Sequence, residues 1–154
     1  MSDFENKGLE KSLEEIKSQP IDELFKQAVI YVKTAGVDYK IKALELFKEV
    51  VYRDPEYRSG DDDNAYYYMG NIAFYTMEEL NLAQEYYTEA LRVDPKDILS
   101  LQNRGFCWMA QERYNEALLD LNQAVEMDMK KDYLNPEIEE IIREAEKKLA
   151  EITS

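Results

Sequence analysis

"NAYYYMGNIAFY", residues 64–75, sets three consecutive tyrosines beside a glycine in a stretch with no proline and many helix formers. A helix turns about 100° per residue, so Tyr66, Tyr67 and Tyr68 cannot all enter one core. The surroundings of this stretch decide which of them does.

Three downstream or flanking segments align with one another: "KALELFKEVVYRDP" (42–55), "LAQEYYTEALRVDP" (82–95) and "EALLDLNQAVEMDM" (116–129). Each has a small residue, then an aromatic or leucine four later, then Ala or Val three beyond: Ala43, Phe47, Val50; Ala83, Tyr87, Ala90; Ala117, Leu121, Ala124. The first two close on Asp-Pro. Ala83 and Ala117 are 34 residues apart, Ala43 and Ala83 are 40 apart, and the polar run "EYRSGDDDN" (56–64) holds most of the surplus. Upstream of the last two segments lie the partner helices expected over 64–77 and 98–111, in which Tyr66, Met69 and Gly70 match Leu101, Arg104 and Gly105. Glycine inside a helix costs about 1 kcal/mol relative to alanine, so Gly70 and Gly105 imply close approach of paired helices.

A period of about 34 residues with this pattern resembles the tetratricopeptide-repeat family over residues ~21–129. Arg104 departs from the family's leucine, Ala73 from its aromatic, and Met129 from its closing proline. In the first repeat, either Ala28 or Val29 could take the glycine position. The resemblance implies an all-α, α-solenoid fold, a right-handed superhelix of antiparallel helix pairs. Its expected division is an N-terminal helix or extension over 1–20, then three repeats within 21–134 (about 21–55, 64–95 and 98–129), then a capping helix over 135–154. For that cap, Asn135 is read as the N-cap, with Pro136 at the first helical position. Ile138, Ile141, Ile142, Ala145, Leu149 and Ile152 share one stripe. Leu9, Leu13 and Ile16 suggest a shorter amphipathic helix at the start.

Bulk composition agrees and narrows the function. The 154 residues (18.1 kDa) are 45% hydrophobic and 34% charged, with only five glycines and four prolines, which suits one helical domain. A net charge of −14 repels phosphate backbones and anionic lipid, so neither nucleic acid nor membrane is an expected partner. The charged start and the absence of an apolar run of ~18 residues point to the cytoplasm. The lone Cys107 agrees with a reducing compartment.

No enzyme is expected. Histidine is absent, Cys107 has no imidazole to generate a thiolate, and no phosphate-cradling glycine loop occurs. Neither a cofactor nor a metal is expected. The acidic "DDDN" (61–64) lacks the alternation of a calcium loop and reads as a solvated loop with Asp63 or Asn64 capping the next helix.

In the geometry that the resemblance implies, Tyr66, Phe74, Tyr87 and Trp108 are core, while Tyr67, Tyr68, Asn71 and Tyr75 line a concave groove. Gln102, Asn103, Phe106 and Met109 are the matching groove positions of the third repeat. One subclass of the family clamps the acidic C-terminal tails of heat-shock chaperones with two asparagines, a lysine and an arginine. Asn71 and Asn103 match its asparagines, but Tyr67 and Glu139 stand where cations belong and only Arg143 fits. Tyrosine faces attract Lys and Arg, so a basic or amphipathic segment of another protein is the better expectation. The expected role is an adaptor holding such a segment in the groove. A chaperone for a secreted or aggregation-prone client is the alternative, and self-association stays open.

Overall fold

The computed structural model describes residues 13–129 and 133–154. Its described residues form eight helices: α1 (Leu13–Ser18), α2 (Ile21–Lys33), α3 (Val37–Arg53), α4 (Ala65–Tyr75), α5 (Leu80–Val93), α6 (Ile98–Ala110), α7 (Tyr114–Met127) and α8 (Ile138–Thr153). Extended pairing among these residues is limited to one isolated bridge, Arg58 with Asn64. The fold is all-α. Pairs α2–α3, α4–α5 and α6–α7 stack in order, α3 on α4 and α5 on α6, and α8 closes the stack against α7.

The aligned small and large residues are what bind each pair. Ala43, Phe47, Val50, Ala83, Tyr87, Ala90, Ala117, Leu121 and Ala124 are all fully buried, 0% exposed. The small members let a neighbouring helix approach, and the large members fill the seam. Gly70 and Gly105 complete the fit. A Cβ at residue 70 would lie 2.5 Å from Tyr87 Cε1, and one at residue 105 would lie 2.6 Å from Leu121 Cδ2. In α2, Ala28 is fully buried and Val29 only half, so Ala28 takes the position that the sequence left open between them.

Each repeat end also has a local cause. Asp54 and Asp94 cap α3 and α5, each donating its N–H to a carbonyl four residues back, Val50 at 2.9 Å and Ala90 at 2.8 Å. Their carboxylates then accept the N–H beyond the proline, from Glu56 and Lys96, both at 3.0 Å. The turns between the two helices of each pair all contain one left-handed residue: Gly36 (φ 113°), Glu78 (57°) and Glu112 (58°).

The C-terminal end departs from expectation. Asn135 does not cap a helix beginning at Pro136; α8 starts at Ile138. The Asn135 side chain accepts from Glu137 N–H at 2.8 Å in a tight turn, and its own N–H is drawn onto Gln102 Oε1 at 2.5 Å, which delays the helix. Ile138 and Ala145 are buried, whereas Ile152 is 68% exposed, so the stripe outlasts its seat. At the other end, Ile16 is buried in the first core cluster and Arg53 donates to the carbonyls of Ile16, Lys17 and Gln19. Leu9 lies outside the described residues.

Candidate functional site

The first helices of the second and third pairs, α4 and α6, present the residues read as a groove. Asn64 fixes the start of α4: its side chain accepts from Tyr67 N–H at 3.0 Å, satisfying one of the helix's free N-terminal donors. The tyrosine run then divides by face. Tyr66 is half-buried against the first core cluster rather than sealed within it. Tyr75 stands 65% exposed. Tyr67 is half-buried beside Ala73, Tyr87 and Cys107.

Tyr68 has a structural role as well as a groove position. Its ring stacks on Phe47 at 5.2 Å with planes 8° apart and meets the edge of Phe25 at 5.9 Å, bridging the first and second repeats. Its hydroxyl donates to Asp63 Oδ2 at 3.4 Å, and burial together with Asp63 pushes its pKa up to about 12. Burial raises Tyr67 as well.

The amides of the expected groove are joined to one another. Asn135 N–H donates to Gln102 Oε1, Gln102 Nε2 to Asn103 Oδ1 at 3.1 Å, and Asn103 Nδ2 to Asn71 Oδ1 at 3.0 Å. Tyr87 adds its hydroxyl to the same Asn71 oxygen at 2.7 Å. Gln102 and Asn103 are buried, with 7% and 6% exposure, because this chain ties the third repeat and the cap segment to the second repeat. Phe106 and Met109 are half-buried against the third core cluster.

Two cavities open on either side of Asp63. The larger, about 640 Å³, lies between α2, the 57–63 loop and α4; Phe25, Val29, Tyr57 and Tyr68 give its apolar lining. The smaller, about 300 Å³, lies between α4 and the start of α6, with Tyr67, Ile98, Leu99 and Tyr133. Asp22, Asp61 and Asp63 line the first with Lys26 and Lys33; Asp62, Asp63, Asp94 and Asp97 line the second with Lys96. Asp62 and Asp94 both pair with Arg58, at 2.8 and 2.9 Å. Asp22 accepts from Tyr57 Oη at 2.6 Å. Asp97 is raised by burial, against the pull of hydrogen bonds from Ser100.

Phe25, Val29 and Tyr57 were not among the expected groove residues. Placing Ala28 at the glycine position would have found the two on α2, since they then stand three before and one after it, as Tyr67 and Asn71 do. A second omission is the buried network at Arg104. Its Nε and Nη2 donate to the two Asp120 carboxylate oxygens at 2.7 and 2.8 Å, and Trp108 Nε1 donates to Asp120 at 3.1 Å. The signal was present: Asp120 stands where Leu46 and Tyr86 stand in the other repeats, and Arg104 where Gln27 and Met69 stand, so the third repeat alone carries opposite charges at these two positions.

Cys107 is fully buried, and burial pushes its thiol up to about 12, far from a reactive thiolate. Among the described residues no three His, Cys, Asp or Glu converge as a metal would need, and no helix is long and apolar enough to cross a membrane.

The stacked helix pairs are shared with solved structures. The first tetratricopeptide domain of Spaghetti (RPAP3), bound to the HSP90 peptide SRMEEVD, superposes with a TM-score of 0.68 at 18% identity, covering 86% of this chain and 95% of that one. The chain has the tetratricopeptide-repeat fold. Other likenesses are the TPR2B domain of yeast Sti1 in its pHsp70 complex (TM-score 0.66, 19% identity, 82% and 96% covered) and a bacterial chaperone. That last is SycD, the type III secretion translocator chaperone of Yersinia enterocolitica (TM-score 0.60, 19% identity, 94% and 87% covered). By sequence, the chain is 34% identical over 67 residues to Hsp70-Hsp90 organizing protein 1 of Arabidopsis thaliana, a match over 42% of the chain and 12% of that protein's length. No protein-family model matches the chain.

Proposed function

We propose that this tetratricopeptide domain is an adaptor that holds a segment of another protein on the face of α2, α4 and α6. One observation carries the reading: two aromatic-lined cavities, rimmed by carboxylates, flank Asp63 on that face. The peptide complexes of RPAP3 and Sti1 support a peptide-holding role for the fold.

The occupant is a basic or amphipathic segment rather than an acidic tail. Asn71 and Asn103 are already bonded to each other, Tyr67 stands where a clamp lysine would be needed, and the net charge is −14. Exposed tyrosine faces and carboxylates attract Lys and Arg, and the acidic field raises the encounter rate. Tyr67, Tyr68, Asn71 and Tyr75, with Phe106 and Met109, form the contact surface; Gln102 and Asn103 hold Asn71 in place. The setting is cytoplasmic, and binding rather than turnover is the activity.

The test is affinity capture from a native extract, comparing wild type with Tyr67→Ala/Tyr75→Ala by mass spectrometry. Loss of a specific partner in the variant is expected; an unchanged set of partners would count against the reading. A second reading, a chaperone for an aggregation-prone client, is favoured by the likeness to SycD. Coexpression separates the two, since a chaperone keeps its client soluble and an adaptor leaves solubility unchanged.

A further inference from the structure

The run that exceeds the 34-residue period is a built hairpin. Arg58 and Asn64 form an antiparallel bridge, Ser59 N–H donates to the Asp63 carbonyl and Asp62 N–H to the Ser59 carbonyl, both at 2.9 Å. Asp62 turns the chain with φ 68°, and Arg58 fastens the hairpin by pairing with Asp62 and with Asp94 at the end of α5. Held in this way, it is one wall of the 640 Å³ cavity whose other walls are α2 and α4.

We infer that this cavity is the anchor pocket for a partner residue pair, an apolar side chain next to a lysine or arginine, and that the hairpin selects the cation. The inference rests on the peptide-holding reading above and adds a subsite on the first repeat. The apolar side chain fits against Phe25, Val29, Tyr57 and Tyr68, with Ile30 at the mouth, 57% exposed. The walls differ in charge. Among the described residues neither Asp61 nor Asp63 on the hairpin has a cation partner, while Arg58 neutralises the adjacent Asp62. The α2 wall carries Lys26, already paired with Glu23 at 3.4 Å, and Lys33. Both carboxylates of the hairpin wall face no lysine on their own side, whereas Asp22 on α2 shares its wall with Lys26 and Lys33, so an incoming cation is drawn to the hairpin more than to α2, which favours one orientation of the occupant. Asp22 adds a carboxylate below, held by the Tyr57 hydroxyl.

The probes are three fluorescein-labelled peptides, Gly-Ser-Gly-Leu-Lys-Leu-Gly-Ser-Gly and its analogues with Glu in place of Lys or Ser in place of both Leu, titrated against the full chain by fluorescence anisotropy. The Leu-Lys peptide should bind at least roughly tenfold more tightly than either analogue, since a buried leucine and a paired charge each contribute about that order. Asp61→Asn/Asp63→Asn should weaken it roughly fivefold and flatten its salt dependence. Ile30→Asp, at an exposed site, should weaken it without changing the melting temperature. Equal binding of the Glu analogue, or indifference to both variants, would overturn the inference while leaving the inner-face reading intact. Tighter peptide binding after deletion of residues 1–12 would overturn it in favour of the chain's own leading segment as occupant. If instead the hairpin variants behave as stated but Tyr67→Ala/Tyr75→Ala retains every captured partner, the inner-face reading fails and the anchor pocket stands.

Discussion

The ring of Tyr87 occupies the space where a side chain at Gly70 would begin, with Cε1 and Cδ1 at 2.5 and 2.6 Å from an ideal Cβ. Leu121 stands in the same relation to Gly105. Helix propensity alone favours alanine at both positions by about 1 kcal/mol, but overpacking a seam costs roughly 1–3 kcal/mol. Gly70→Ala and Gly105→Ala should therefore both lower stability in urea melts. Gly60→Ala, with nothing within 4 Å, is the matched control and should be nearly neutral.

Arg104 and Asp120 should show opposite single and double effects. Arg104→Leu leaves Asp120, only 2% exposed, without its cation and should cost about 3–5 kcal/mol. Arg104→Leu/Asp120→Leu gives the two positions the apolar character that Met69 and Tyr86 have in the second repeat and should recover most or all of that loss. A double-mutant cycle by chemical denaturation measures the coupling, and additive losses would contradict it.

The tyrosines of α4 should separate by stability. Tyr68→Ala removes a ring stacked on Phe47 and should cost roughly 2–3 kcal/mol, somewhat below full burial of an aromatic. Tyr75→Ala, at a side chain 65% exposed, should stay within about 0.5 kcal/mol of wild type. Thermal melts of the two variants decide this, and equal losses would mean that the α4 faces are misassigned.

Alkaline pH should destabilise the fold through Cys107 and Tyr68. Their ordinary values are 9.0 and 10.0, and each rises to about 12 in the folded chain. Above its unfolded value each group keeps its proton in the folded state and loses it in the unfolded state, so stability is full below about pH 9 and falls from there towards pH 12. Melting temperatures measured across that interval should decline. Cys107 should react with a thiol reagent at pH 8 only once denaturant is added, and prompt labelling of the folded protein would contradict its burial.

The helical architecture was legible because its signals are local and repeated: the spacing of Ala83, Tyr87 and Ala90 recurs at Ala117, Leu121 and Ala124, and Gly70 recurs at Gly105. The site was legible only in part. Face assignment follows from helical geometry, but Tyr68 is shared between a face and a seam, and only the position of Phe47 on the preceding repeat reveals that. Gln102 and Asn103 have the polarity of groove residues, yet partners 32 and 33 positions away, Asn71 and Asn135, draw them inward. The α2 wall escaped notice because Ala28 and Val29 both suit the crossing in sequence, and the choice between them depends on packing.

The Arg104–Asp120 pair is found in the third repeat alone, and a misdocked helix would forfeit it. Repeats this alike invite a helix to dock in the wrong slot during folding, where most of the seam would still fit. Placed in the slot of α4, Arg104 would find Tyr86 in place of a carboxylate, leaving a guanidinium without its anionic partner. One charge parted from its partner would thus penalise shuffled stackings of the third pair.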